Sequence, residues 1–136
     1  MFRDIKQQIA RPEVGEIISY AAFNGTAEGV AKETVKYQVS VSLNFYGWLD
    51  NGRVVGICGF EVHADKVEIH LISVAKDMQR KGAGGAMVAA LQEMYRLPIE
   101  AETDDDALGF YRKCGFMDTA FQHEKLGTRY TCVLKK

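Results

Sequence analysis

The chain has 136 residues, 47% apolar and 26% charged, so a single globular domain over residues 1–136 is expected, and a disordered or fibrous segment is excluded. Seventeen Lys and Arg against eighteen Asp and Glu leave a net charge of −1, which provides no electrostatic footprint for nucleic acid or an anionic membrane. Cys58, Cys114 and Cys132 lack CxxC or Cys/His spacing, which argues against a disulfide framework or a zinc site, and no apolar stretch has signal-peptide or bilayer-spanning length, so a cytoplasmic protein is expected.

Phe2 to Ile5 reads as a short first strand. Pro12 suits the first turn of a helix carrying Val14, Ile17, Ile18, Ala21 and Ala22, ended by Asn24-Gly25. Thr26 can cap a second helix with Gly29 inside it and Val30, Val35 and Val39 on its inner face. From Asn44 the period changes: NFYGWL is a strand, Asp50-Asn51-Gly52 a hairpin turn, and RVVGICGFEVH a second strand of almost continuous apolar character. Ala64-Asp65-Lys66 turns the chain into a third strand, Val67 to Val74, which completes an antiparallel meander.

Met87, Val88, Leu91 and Tyr95 then recur at helical spacing from Gly84, and Pro98 to Glu102 is a short strand. A strand–helix–strand crossover makes this strand parallel to Val67–Val74. Asp104, Asp105 or Asp106 caps a helix whose Ala107, Phe110, Tyr111 and Cys114 fall at i, i+3, i+4 and i+7, and Gly115 stops it. Phe116 to Phe121 and Arg129 to Leu134 are closing strands. The predicted class is α/β (α+β), with helices on a mixed sheet.

Gln79-Arg80-Lys81-Gly82-Ala83-Gly84-Gly85 stands between the third strand and the helix that follows it. That order brings unpaired backbone N–H groups, the positive end of a helix dipole and two cationic side chains to one point, which attracts phosphate. Neither GxGxxG nor a P-loop Lys-Ser/Thr pair is present, and a glycine-rich connection can also be no more than a tight turn.

Gln79-x-x-Gly82-x-Gly84 after LISV, followed by Ala107-x-x-Phe110-Tyr111-x-x-x-Gly115-Phe116, resembles the Q/R-x-x-G-x-G/A and A-x-x-F-Y-x-x-x-G-F signatures of the GNAT superfamily of acetyl-CoA-dependent N-acetyltransferases. The resemblance covers about Phe45 to Phe116. It implies a GNAT-like acyl-CoA N-acyltransferase fold: a mixed, mostly antiparallel central sheet with helices on both faces, in which Val67–Val74 splays from Pro98–Glu102. The backbone of Leu71, Ile72, Ser73 and Val74 would then bind the acetyl carbonyl and pantetheine. Gln79, Arg80, Lys81, Gly82, Ala83, Gly84 and Gly85 would hold the pyrophosphate, small residues there sparing the phosphate a Cβ. Asp104 stands where many relatives carry an Asn that can contact pantetheine. Tyr111 would protonate the departing thiolate, although its place on an apolar helical face equally suits a core residue.

An alkyl amine is mostly protonated at neutral pH, so acetyl transfer needs a base. Glu68, six residues before Val74, is the first choice; His70 shares its face, and Glu61 and His63 are candidates on the neighbouring strand. The acidic run Glu100 to Asp106 is either solvated or a hold for a cationic acceptor. Phe45, Tyr46 and Trp48 are expected to pack the meander, and Cys114 to be a packed thiol. The expected function is transfer of acetyl from acetyl-CoA to a primary amine by direct attack in a ternary complex, with no metal taking part. The acceptor is not identified by these residues, and a homodimer is compatible with them. A non-catalytic acyl-CoA-binding or sensing module on the same fold is the alternative, and a small phosphate-binding interaction domain a third.

Overall fold

Asn51 and Gly52 adopt positive φ (52° and 81°) between β2 (Leu43–Asp50) and β3 (Arg53–Val62), the backbone that a two-residue hairpin requires. The computed structural model describes residues 1–21 and 25–135. β4 (Val67–Val74) continues the meander, and β1 (Phe2–Asp4) extends it on the far side of β2. With β5 (Ile99–Thr103), β6 (Met117–His123) and β7 (Gly127–Leu134), the described strands form one seven-stranded sheet in the order β1-β2-β3-β4-β5-β7-β6. The β4–β5 pair is parallel because α3 (Ala83–Tyr95) crosses between the two strands; the other pairs are antiparallel.

Helices cover both faces, as expected. α1 (Pro12–Ser19) and α2 (Ala27–Val39) pack Val14, Ile17, Ile18 and Tyr37 against Phe45, Ile57 and Leu71. On the opposite face α3 and α4 (Asp105–Lys113) pack Met87, Leu91, Leu108 and Tyr111 against Cys58, Phe60, Val67 and Ile69. β3 therefore sends Ile57 to one core and Cys58 and Phe60 to the other, which explains its nearly unbroken apolar character. Phe45, Tyr46 and Trp48 pack in these two cores, matching the expectation for them.

One irregularity shapes the site. Gly59 pairs with Leu71 whereas Phe60 pairs with Ile69, so His70 is the extra residue of a β-bulge in β4. Strict alternation would put Ile69 and Leu71 on one face; the bulge sends them to opposite cores.

Two helical phases differ from expectation. Thr26 caps α2 by accepting from the Gly29 N–H at 3.2 Å, but Val35 and Val39 are 53% and 74% exposed. They lie five and nine residues beyond Val30, about 140° and about 180° round the helix. Tyr37, seven residues on, shares the Val30 face and is buried instead. In α4 the buried residues are Leu108 and Tyr111, while Ala107 is exposed, because Leu offers more apolar area to bury. Phe110 and Cys114 are partly buried against the same core. Ala22 and Asn24, expected at the end of the first helix, lie outside the described residues.

Tyr37 rests on Gly59, where a methyl group would overlap its hydroxyl and ring, and packs at a tilt of 58° against Phe45 with centroids 5.2 Å apart. Its buried hydroxyl has no hydrogen-bond partner among the described residues. A buried unpaired hydroxyl costs about 1–3 kcal/mol. Tyr37→Phe is therefore expected to raise stability by about 1 kcal/mol in urea unfolding, and a loss of similar size would show that the hydroxyl has a stabilising partner.

Candidate active site

β4 and β5 pair only through Val67–Ile99, Glu68–Glu100 and Ile69–Ala101. Pairing stops where the bulge begins, so from Leu71 to Val74 the edge of β4 that faces β5 has no strand partner. Side chains there are committed elsewhere: Leu71 is buried toward α1, Ile72 and Val74 pack partly buried against the α3/α4 core, and Ser73 is 8% exposed. What this stretch offers a ligand is backbone.

The glycine turn lies at the end of the same strand. Gly82 is the N-cap of α3 with φ +89°, and the first α-helical bond runs from the Ala86 N–H to the Gly82 carbonyl at 2.9 Å. The amides of Ala83, Gly84 and Gly85 thus have no intrahelical acceptor. Arg80, with φ +65°, is a non-glycine residue in the left-handed region. Such backbone occurs where the surroundings impose it, often at binding sites. The side chains of Arg80 and Lys81 are exposed beside these amides.

The remaining residues of the turn have local tasks. Gln79 donates its side-chain amide to the Val74 carbonyl at 3.1 Å, so it ties the turn to the end of β4. Gly84 is buried because the Phe110 ring of α4 would meet a Cβ there at 2.6 Å, whereas a Cβ at Gly85 would find open space. Beside the expected sparing of a phosphate, Gly82 meets a backbone requirement and Gly84 a packing one. Gly84 and Phe110 belong to the two sequence motifs, so the motifs are in physical contact. Arg53 and Asp77, not singled out from the sequence, form a two-pronged ion pair with both bonds at 2.8 Å. It fastens the turn after β4 to the hairpin, and the guanidinium holds the Asp77 carboxyl below its usual range. Residues 24 apart with no pattern between them gave no signal of this contact.

Glu61 and Glu68 sit directly opposite each other on β3 and β4. Alternation from Val67 and Ile69 puts Glu68 on the α1/α2 face of the sheet, and Glu61 follows Ile57 and Gly59 on that face. His63 Nε2 lies 3.0 Å from Glu68 Oε1, and His70 Nε2 lies 3.4 Å from Glu61 Oε1. The four residues considered from the sequence as bases are therefore one cluster, partly exposed and beside the point where β4 and β5 part.

Tyr111 is 5% exposed, its ring edge-on to both Phe110 and Phe116 at centroid distances of 5.1 and 5.2 Å. Burial, aided by neighbouring Cys58, raises its pKa, so the phenol keeps its proton across the physiological range. It shares its core with Ile72 and Val74 of the unpaired β4 stretch. Asp104 caps α4 by accepting from the Ala107 N–H at 3.0 Å. The rest of the acidic run is largely engaged: Glu100 pairs with Lys66 at 3.3 Å, Glu102 with Arg129 at 3.2 Å, and Asp105 accepts from the Tyr130 hydroxyl at 2.6 Å. Burial pushes the Cys114 thiol up, which disfavours a nucleophilic thiolate.

A model of the Acetyltransferase (GNAT) family matches residues 19–116, reaching upstream of Phe45 to include α2. No curated protein matches the chain in sequence. Among solved structures, the ribosomal-protein-S18-alanine N-acetyltransferase from Escherichia coli is 18% identical with a TM-score of 0.74, over 98% of this chain and 92% of that one. IAA acetyltransferase from Bacillus cereus is 19% identical with a TM-score of 0.70, over 100% and 99% of the two chains. A GNAT family acetyltransferase from Elizabethkingia anophelis with acetyl-CoA bound is 14% identical with a TM-score of 0.71, over 100% and 97%. These identities speak for a shared fold, while the family match covers most of the length. The chain belongs to the GNAT acetyltransferase family.

Proposed function

We propose that this chain is a cytoplasmic N-acetyltransferase that binds acetyl-CoA between β4 and β5 and transfers the acetyl group to a primary amine by direct attack in a ternary complex. The observation that carries the reading is the end of β4–β5 pairing at Ile69, with the free amides of α3 at the far end of the same unpaired edge. A thioester on a long diphosphate-bearing arm fits that layout: backbone from Leu71 to Val74 for the arm's amides and carbonyl, and amides of residues 80–85 with Arg80 and Lys81 for the pyrophosphate. Asp104 enters this reading through its cap, which fixes the start of α4 beside the arm. The free thiols Cys58, Cys114 and Cys132 accord with a reducing compartment, and among the described residues no helix is long and apolar enough to cross a membrane.

In the proposed reaction Glu68 takes the amine's proton, directly or through one water. The nitrogen lone pair forms the new C–N bond as the C–S bond breaks. Amides around Ile72 stabilise the charge that develops on the carbonyl oxygen. Tyr111 donates a proton to the departing sulfur, its raised pKa keeping that proton in place until it is needed, and the second proton that the nitrogen sheds as the amide forms passes to solvent, from which Tyr111 is reprotonated. Titration calorimetry is expected to show one acetyl-CoA bound per chain, and no binding at millimolar ligand would remove the reading. Thiol release across a panel of aminoglycosides, polyamines, amino acids and protein amines then identifies the acceptor. Tight binding with no thiol release from any of them would favour a non-catalytic acyl-CoA module.

A further inference from the structure

We infer that Glu61, His63, Glu68 and His70 form a binding site for a divalent transition-metal ion of the zinc type. Each side chain brings one atom within 3.8 Å of two of the others. Glu68 Oε1 lies 3.0 Å from His63 Nε2 and 3.8 Å from His70 Nε2; Glu61 Oε1 lies 3.8 and 3.4 Å from the same two nitrogens. Carboxylate oxygen and imidazole nitrogen thus alternate round a closed ring of four donors. An ion with tetrahedral bonds of about 2.0–2.1 Å separates its ligand atoms by about 3.3 Å, and the four observed edges bracket that value. Two imidazoles and two carboxylates are a donor set that zinc accepts.

The strand register supplies a reason for the cluster to take a cation. Glu61 and Glu68 face each other directly, and like charges in that relation destabilise an antiparallel pair. A dication neutralises both carboxylates while the imidazoles remain neutral ligands. The bulge places His70, which has no partner on β3, alongside them. Side-chain exposures of 27–38% leave the four groups reachable from solvent and partly shielded from it. Among the described residues, the metal-type grouping of three or more such side chains is Glu61, His63 and Glu68, whose ligand atoms lie within 4.8 Å of one another, and His70 joins it through its 3.4 and 3.8 Å approaches to the two carboxylates. An ion here occupies the oxygen that would accept the amine's proton, so it switches transfer off. That consequence rests on the reading of Glu68 as base, whereas the site itself does not.

The full chain without acetyl-CoA is titrated with Zn²⁺ by calorimetry and with Co²⁺ in the visible range. One ion per chain and the intense bands of tetrahedral cobalt are expected. His63→Gln and His70→Gln should each weaken Zn²⁺ binding by at least the roughly 10–100-fold typical of losing an outer partner of a metal ligand, and the double variant should lose the cobalt bands. His123→Gln, outside the cluster, should change neither. Circular dichroism and acetyl-CoA affinity report whether each variant is folded. Absence of a saturable one-to-one isotherm, or cobalt bands that survive in the folded double variant, overturns the site. Zn²⁺ binding that leaves transfer undiminished retains the site and removes Glu68 as the base.

Discussion

Glu68→Gln is expected to lower the rate of acetyl transfer by about 10²–10⁴-fold, the usual contribution of general acid–base catalysis, with little change in the dissociation constant of acetyl-CoA. The size follows from the substrate: an alkyl amine with a pKa near 10.4 is neutral in only about one part in a few thousand at pH 7. The placement follows from the strand. Glu68 lies one residue before the last β4–β5 pair and two before the bulge, on the face that carries α1 and α2. Gln has the same shape and can still bond His63, so the cluster keeps its packing and loses only the ability to take a proton. Glu61→Gln removes the opposite carboxylate of the same cluster and is expected to cost far less. Thiol-release kinetics alongside calorimetry separate the two effects. Turnover within about threefold of the parent in Glu68→Gln would move the role of base away from Glu68, and His70 at the bulge would be the next residue to test.

The bulge also explains how the site's parts depend on one another. An extra residue increases local twist and re-aims the strand beyond it. In β4 that happens between Ile69 and Leu71, where the parallel ladder to β5 ends. The same residue at which the parallel ladder ends therefore brings its imidazole to the carboxylates beside that edge. Phe110 on Gly84 then couples α4, which carries Tyr111, to the start of α3.

Much of this was legible in the sequence where the signal is local. Val67–Val74 is the observed β4, the Asn51-Gly52 turn is where two positive φ values were required, the Thr26 cap holds, and of the three aspartates offered as the next cap Asp104 is the one that forms it. Helical phase was less legible. α4 has nine residues, short enough for a stripe starting at Ala107 to compete with one starting at Leu108, and packing against the sheet decided between them. Val35 and Val39 share their residue type with Val30, but their spacing from it is not helical. The ties of the acidic run were not legible either, because Lys66, Arg129 and Tyr130 reach it from other strands. Glu61, His63, Glu68 and His70 could each be named as candidates, but their meeting depends on register and on a bulge. No composition or period encodes a one-residue slip of pairing.

Gly82→Val is the variant expected to damage cofactor binding most. At φ +89° an L-residue is strained, a β-branched one especially, and the penalty of the left-handed region is about 1–2 kcal/mol. Nothing lies within 4 Å of the added Cβ, so the strain is in the backbone and is relieved by moving the turn itself. The amides of Ala83, Gly84 and Gly85 then lose their common aim, and acetyl-CoA affinity is expected to fall by at least about tenfold, or about 1.4 kcal/mol. A thermal midpoint lower by a few degrees should accompany it. Gly85→Ala separates strain from ligand contact. Gly85 has ordinary φ and open space around it, so the fold is indifferent to a methyl group there, and any loss of affinity in that variant measures how closely the pyrophosphate approaches the backbone. If Gly82→Val keeps full affinity in calorimetry, the turn is not the phosphate cradle. If Gly85→Ala loses affinity while its midpoint stays unchanged, the phosphate lies against the first turn of α3.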